Sequence, residues 1–190
     1  MAIEDFAKGA ALGAAAAICL FTGSVQAQST NGVDIAVTAT VAERCGFTSR
    51  AASALNVAAD LEDAHSQDLA LRIDCNTPFT ISARADSGRL VNRSASDDRS
   101  GYAFDKAYGL SVRVDTDAGQ IQSGRCLSTE LRDGGDCILA QPSGLGSGDG
   151  VAIGRDAVVT VDWPSQTTLG RRLAAGQYSD TVTFTIGARA

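Results

Sequence analysis

Apolar and polar residues alternate from Val33 to Val41. Val33, Ile35, Val37, Ala39 and Val41 occupy every second position, and Asp34, Thr38 and Thr40 fill most of the places between them. Period-two alternation marks a strand with one face buried, because successive side chains of extended backbone point to opposite faces. The rhythm returns along the chain. Leu69, Leu71, Ile73 and Cys75 share one face, with Asp68, Arg72 and Asp74 on the other. After the Asn76-Thr77-Pro78 break come Phe79, Ile81, Ala83 and Ala85. Leu110, Val112 and Val114, then Val159, Val161 and Trp163, and finally Val182, Phe184 and Ile186 among threonines repeat it. The pattern predicts six principal strands: 33–47, 67–75, 79–86, 108–115, 157–163 and 178–188. Asp86-Ser87-Gly88, the polar run Asn92 to Ser100, Asp115 to Gly119 and Pro164 supply turn chemistry between them. No stripe of helical period stands out beyond the first residues. Ala51 to Leu61 fits one helical turn or a strand about equally.

Many short strands and no long helix predict an all-β fold, an antiparallel β-sandwich. An immunoglobulin-like sandwich uses seven strands, and the sixth predicted run extends into the closing Gly187-Ala188-Arg189-Ala190. The expectation is an incomplete immunoglobulin-like β-sandwich lacking its final strand. Such a molecule exposes unpaired backbone groups and apolar side chains along one edge, which aggregates unless something fills it. The alternating N-terminal strand is a natural filler, since an extended segment adds readily to an open sheet edge.

The first residues read as an address. Ala10 to Phe21 is continuously apolar, too short for a relaxed bilayer span of roughly 20 residues. Val25-Gln26-Ala27 places small residues where a signal peptidase reads them. The expectation is a signal peptide over 1–27, cleavage between Ala27 and Gln28, and one domain over 28–190 whose donor strand covers about 31–40. Loss of Cys19 with the leader leaves Cys45, Cys75, Cys126 and Cys137. An even number in an exported chain suggests two disulfides. Three connectivities are open to four cysteines; short spacing favours Cys126–Cys137, which leaves Cys45–Cys75. No Cys-x-x-Cys occurs, and the single histidine, His65, lies in a polar stretch read as a loop, so zinc is a poor reading.

Composition narrows the function classes. A formal charge of −6 with no cluster of Lys and Arg argues against nucleic acid. Hydrophobic residues at 44% supply a core, but aromatics at 5% make it one of Val, Leu, Ile and Ala. One histidine is a weak basis for a catalytic site, and the expectation is that the protein is not an enzyme and carries no cofactor. Asp133, Asp136 and Asp149 lack the spacing of an oxygen-ligand loop and read as turn residues. Asn92-Arg93-Ser94 fits a glycosylation tripeptide, a weak match to which no role is assigned.

The chain also resembles a known family. Gly32 to Val41 followed by Cys45 resembles the opening of spore coat protein U domain proteins, which include subunits of archaic (Csu-type) chaperone–usher pili. Leu71-Arg72-Ile73-Asp74-Cys75 with Thr77-Pro78-Phe79-Thr80-Ile81 resembles their second-cysteine strand and the one after it. Ala175-Gly176-Gln177-Tyr178-Ser179-Asp180, leading into Thr181 to Ile186, resembles their closing strand and is the most specific part. The resemblance implies a fold completed by donor-strand complementation, with a periplasmic chaperone lending the strand first and the next subunit replacing it at an outer-membrane usher. Carried over, Val33, Ile35, Val37 and Ala39 are the donor side chains. Val182, Phe184 and Ile186 line the accepting groove, and Cys45–Cys75 is the family disulfide. It also implies an extracellular fibre with roles in adhesion and biofilm formation, reached through the periplasm, with other copies or related subunits as partners. Tyr178 reads as a strand-edge tyrosine bonded to nearby backbone. The Cys126–Cys137 insertion departs from the common pattern. The alternative expectation is a monomeric secreted binding module, for instance for carbohydrate, whose 120–150 loop carries the site.

Overall fold

The computed structural model describes residues 35–48, 60–96 and 101–189. The leader, the Ala27–Gln28 junction and Val33 lie outside the described residues, as does most of the Ala51 to Leu61 run. The chain divides into two units, Met1–Ala39 and Thr40–Ala190. In the first, the described residues 35–39 have no regular secondary structure and are exposed, Ile35 at 80% and Val37 at 86%.

The second unit is built of antiparallel strands, as the alternation predicts. In chain order they are β1 (Cys45–Phe47), β2 (His65–Cys75), β3 (Phe79–Ala85), β4 (Leu90–Asn92), β5 (Asp105–Lys106) and β6 (Gly109–Thr116). There follow β7 (Gly119–Gln122), β8 (Cys126–Leu127), β9 (Leu145–Gly146), β10 (Ala152–Trp163), β11 (Tyr178–Ser179) and β12 (Val182–Ala188). A short helix, α1 (Ser128–Asp133), and two 3-10 turns, Ile138–Ala140 and Gln166–Leu169, interrupt them.

The largest sheet runs β1-β2-β10-β6-β7, with β8 also on β6; a second runs β12-β3-β9 and a third β11-β4-β5. Core side chains of β2, β6 and β10 belong to one cluster with those of β3, so the two larger sheets share a core. Ile73, Cys75, Phe79, Ile81 and Val114 are at most 1% exposed. The alternation in β2 holds: Leu71, Ile73 and Cys75 are buried while Ala70 and Arg72 face out.

Several expectations are corrected. Six runs become twelve strand segments among the described residues, because two- to four-residue strands are too short to show a period. Among the described residues, the run expected over 33–47 is a strand only at Cys45–Phe47. Asn76 fastens the exposed residues before it: its Nδ2 donates to the Ala42 carbonyl at 2.9 Å and its Oδ1 accepts the Arg44 N–H at 2.9 Å. His65 is the first residue of β2, not a loop residue, and its ring lies 5.3 Å from that of Trp163, its cross-strand partner. The strand expected at 157–163 begins at Ala152. A register shift between Ala152 and Arg155 hides its start, with Gly154 at φ +58° and its carbonyl accepting two bonds from Arg72. The 178–188 run divides at Asp180-Thr181 into β11 and β12.

Both disulfides form, Cys45–Cys75 and Cys126–Cys137. Cys45 and Cys75 are direct partners across β1 and β2. Two disulfides point to an oxidising, extracytoplasmic environment. No helix among the described residues is long and apolar enough to cross a membrane.

Candidate functional site: an open groove beside the last strand

β12 has one strand neighbour among the described residues, β3, with Val182 opposite Ala85, Phe184 opposite Ala83 and Ile186 opposite Ile81. The partners on β3 are nearly or fully buried, whereas Val182, Phe184 and Ile186 are only half-buried. Among the described residues no strand pairs with the other side of β12, which makes it an edge strand with a half-buried apolar stripe.

A cavity of about 950 Å³ opens beside this edge. Its walls include Val182 and Phe184 from β12, and Leu69, Val159, Val161 and Trp163 from the large sheet. Ile186 is outside this wall, and β1 packs against β12. Two of the three predicted acceptor residues therefore line the cavity, and the third does not. The large-sheet wall was missed as site: alternation identifies inward-facing residues, but not which of them meet a cavity instead of a packed layer.

The motif Gly176-Gln177-Tyr178-Ser179-Asp180 builds one rim. At Gly176 a Cβ would fall 2.4 Å from the Asn92 Oδ1, so only glycine fits. The Asn92 amide is itself in use: Oδ1 accepts the N–H groups of Ser94 and Ala95, and Nδ2 donates to the carbonyls of Ala174 and Ala175. The tripeptide beginning at Asn92 is thus a structural turn whose asparagine is buried at 6% exposure. The Tyr178 hydroxyl donates to the Ala174 carbonyl at 2.7 Å and contacts that of Ala103 at 3.2 Å, as the sequence suggested. Asp180 accepts the Ser87 N–H at 2.9 Å on Oδ1 and the Tyr108 hydroxyl at 2.9 Å on Oδ2. Burial, with Asp180 second, pushes the Tyr108 phenol well above its ordinary value, so it stays a neutral donor.

Residues 60–63 build the other rim. The Glu62 carboxylate takes the Arg172 guanidinium and the Leu173 N–H. The Arg172 hydrogen bonds, then that of Leu173, hold it below its usual range. Lys106, 1% exposed, donates its Nζ to the Leu61 carbonyl, and burial lowers its pKa against the opposing pull of Glu62, Asp60 and Asp63. The Trp163 Nε1 donates to the Asp63 carbonyl at 3.0 Å.

These polar groups are occupied in holding backbone, and no cluster of metal-ligating side chains occurs among the described residues. The cavity is lined by apolar side chains of both sheets and by polar residues of its rims, many of them engaged in hydrogen bonds.

The 120–150 segment has a different character. Leu131, Leu139 and Leu145 are in the core, and Ser128 is fully buried. At Gly144, φ +60°, a Cβ would fall 2.6 Å from the Ile81 carbonyl oxygen, so this backbone lies directly on β3. No protein-family model and no curated protein matches the sequence.

Proposed function

We propose that the protein is a structural subunit of an extracellular fibre, an incomplete immunoglobulin-like sandwich completed by a strand from a neighbouring copy or related subunit. The observation that carries this reading is the unpaired β12 edge, half-buried and apolar, beside an open cavity. The exposed alternation at Ile35 and Val37, continuing the pattern of Val33 and Ala39, is the matching occupant. A second support is Tyr178. A tyrosine at the start of the penultimate strand whose hydroxyl returns to backbone a few residues upstream is a hallmark of immunoglobulin-like domains. The Tyr178 bond to Ala174 supports reading β11 and β12 as that strand, with the final strand supplied by a neighbour.

The energetics suit such an exchange. Each well-buried Val or Ile contributes roughly 1.5–3 kcal/mol, and an added strand gains main-chain hydrogen bonds. Association entropy offsets part of this. The contact is head-to-tail, so it propagates as a filament. On this reading a periplasmic chaperone holds the groove before assembly, an outer-membrane usher exchanges it, and adhesion and biofilm formation are the fibre's roles. The signal peptide over 1–27 and the spore coat protein U likeness belong to the same proposal.

The test is the electrophoretic state of the protein purified from an oxidising compartment and kept unboiled in denaturing buffer. A ladder that collapses on heating supports strand exchange. A single monodisperse monomer sinks it.

A further inference from the structure

We infer that the Cys126–Cys137 disulfide is a strap that holds the accepting edge, so that the groove becomes competent to take a strand only after this bond has formed. The competence half of this inference rests on the strand-acceptor reading above; the strap half does not.

The two disulfides are placed differently. Cys45–Cys75 joins neighbours within one sheet. Cys126 belongs to β8, paired to β6 of the large sheet, with Leu110 opposite Cys126. Cys137 leads into the 3-10 turn Ile138–Ala140, which packs on β3 of the other sheet and places Leu139 at 0% exposure. The chain then returns as β9, the second neighbour of β3. The bond therefore ties one layer to the other.

From the loop it closes, a path of hydrogen bonds leads to the lip of the groove. The Ser128 Oγ donates to the Gly88 carbonyl at 2.8 Å and accepts the Tyr108 N–H at 3.1 Å. An Arg132 Nη1–H reaches the Ser87 carbonyl at 3.2 Å. On the far side of the same turn, the Ser87 N–H and the Tyr108 hydroxyl both end on Asp180. Asp180 stands two residues before β12. Without the bond, the loop that carries α1 is open, and the hydrogen bonds by which Ser128 and Arg132 hold the 86–88 turn, and through it the partners of Asp180, lose their fixed frame.

Closure breaks two S–H bonds and forms one S–S bond. The two electrons and the two protons pass to a disulfide-bearing oxidant, whose own S–S bond breaks and which leaves as a dithiol. Once formed, the bond is shielded, since Cys126 is 1% and Cys137 6% exposed.

The experiment uses the full chain exported to an oxidising compartment, with and without Cys126→Ser and Cys137→Ser together. Amide hydrogen exchange is followed on the monomer fraction, and the unboiled ladder is run beside it. We expect exchange at Asp180 to Phe184 to accelerate tenfold or more in the variant, with β2 and β10 little changed and the ladder lost. Unchanged exchange at those residues overturns the strap. Accelerated exchange with an intact ladder overturns the competence step alone. Absence of a ladder from the wild type overturns the strand-acceptor reading and the competence step, while the exchange result still decides the strap. Should the double variant fail to fold, Ser128→Ala with both disulfides intact tests the path through which the bond is argued to act: acceleration confined to Asp180 to Phe184 supports that path, and unchanged exchange there overturns the strap.

Discussion

β3 has a neighbour on either side, and the two flanks are finished differently. On the β9 flank the chain is closed over. Gly144 lies against the Ile81 carbonyl, the Ser147 Oγ accepts the Phe79 N–H at 2.9 Å, and Leu139 and Leu145 complete the core. On the β12 flank the inward side chains are half-buried and a cavity of about 950 Å³ remains. Both flanks offer apolar residues to the same strand. What differs is coverage: on one flank the disulfide-fastened 126–147 segment packs its leucines onto β3, while on the other the apolar side chains of β12 stay half-buried and no further strand pairs with it among the described residues. An edge of the second kind either aggregates or meets a partner, which is why the contrast bears on function.

The most severe way to break this contrast is to remove the proposed occupant. Deleting Gln28 to Ala39 should abolish the heat-sensitive ladder while leaving both disulfides, as read by mass spectrometry. A ladder of normal length would assign the open edge to something else. Next in size is a substitution on the sealed flank. Leu139→Ala should cost about 2–5 kcal/mol in denaturant unfolding, the range for truncating a buried leucine. Phe184→Ala on the open flank should cost the isolated subunit less, yet weaken the ladder more. Equal stability losses would mean that the two flanks are packed alike.

A smaller effect tests the rim. Tyr178→Phe should lower stability by about 0.5–1.5 kcal/mol, the net worth of one hydrogen bond, measured by thermal or denaturant unfolding. No loss would make the tyrosine a packing residue only.

The smallest effect concerns pH. The Glu62 carboxylate is held below its ordinary 4.5 by Arg172 and the Leu173 N–H. A depressed carboxylate contributes stability that is present above the ordinary value and lost as pH falls through the lowered one. Wild type should therefore lose stability on acidification below about 4.5. Glu62→Gln should start slightly less stable at neutral pH and show a flatter acid slope. Parallel slopes would show that the pair with Arg172 contributes little in solution.

Much of the architecture was legible because alternation is a local property. Leu69 to Cys75, Phe79 to Ala85, Leu110 to Val114 and Val182 to Ile186 each declared their strand and inward face. Gly176, Tyr178 and Asp180 stood out as a motif, but their reasons are remote: the Asn92 amide, the Ala174 carbonyl, and the Ser87 and Tyr108 donors. Strands as short as Leu145–Gly146 were not legible, since two residues carry no period and exist only because β3 lies beside them.

The amino-acid pattern by itself determined the β class, the strand faces, the pairing of Cys126 with Cys137 that short spacing favours and the alternating N-terminal segment. These follow from neighbouring residues and from the chemistry of single side chains. Only the tertiary structure decided which inward faces meet each other and which meet open space. It put Val182 and Phe184 on a cavity wall and Ile186 outside it, placed Leu131, Leu139 and Leu145 of the 120–150 segment in the core, and bonded Asp180 to Ser87 and Tyr108. Packing is a relation between segments distant along the chain, and no local pattern records which edge remains without a neighbour.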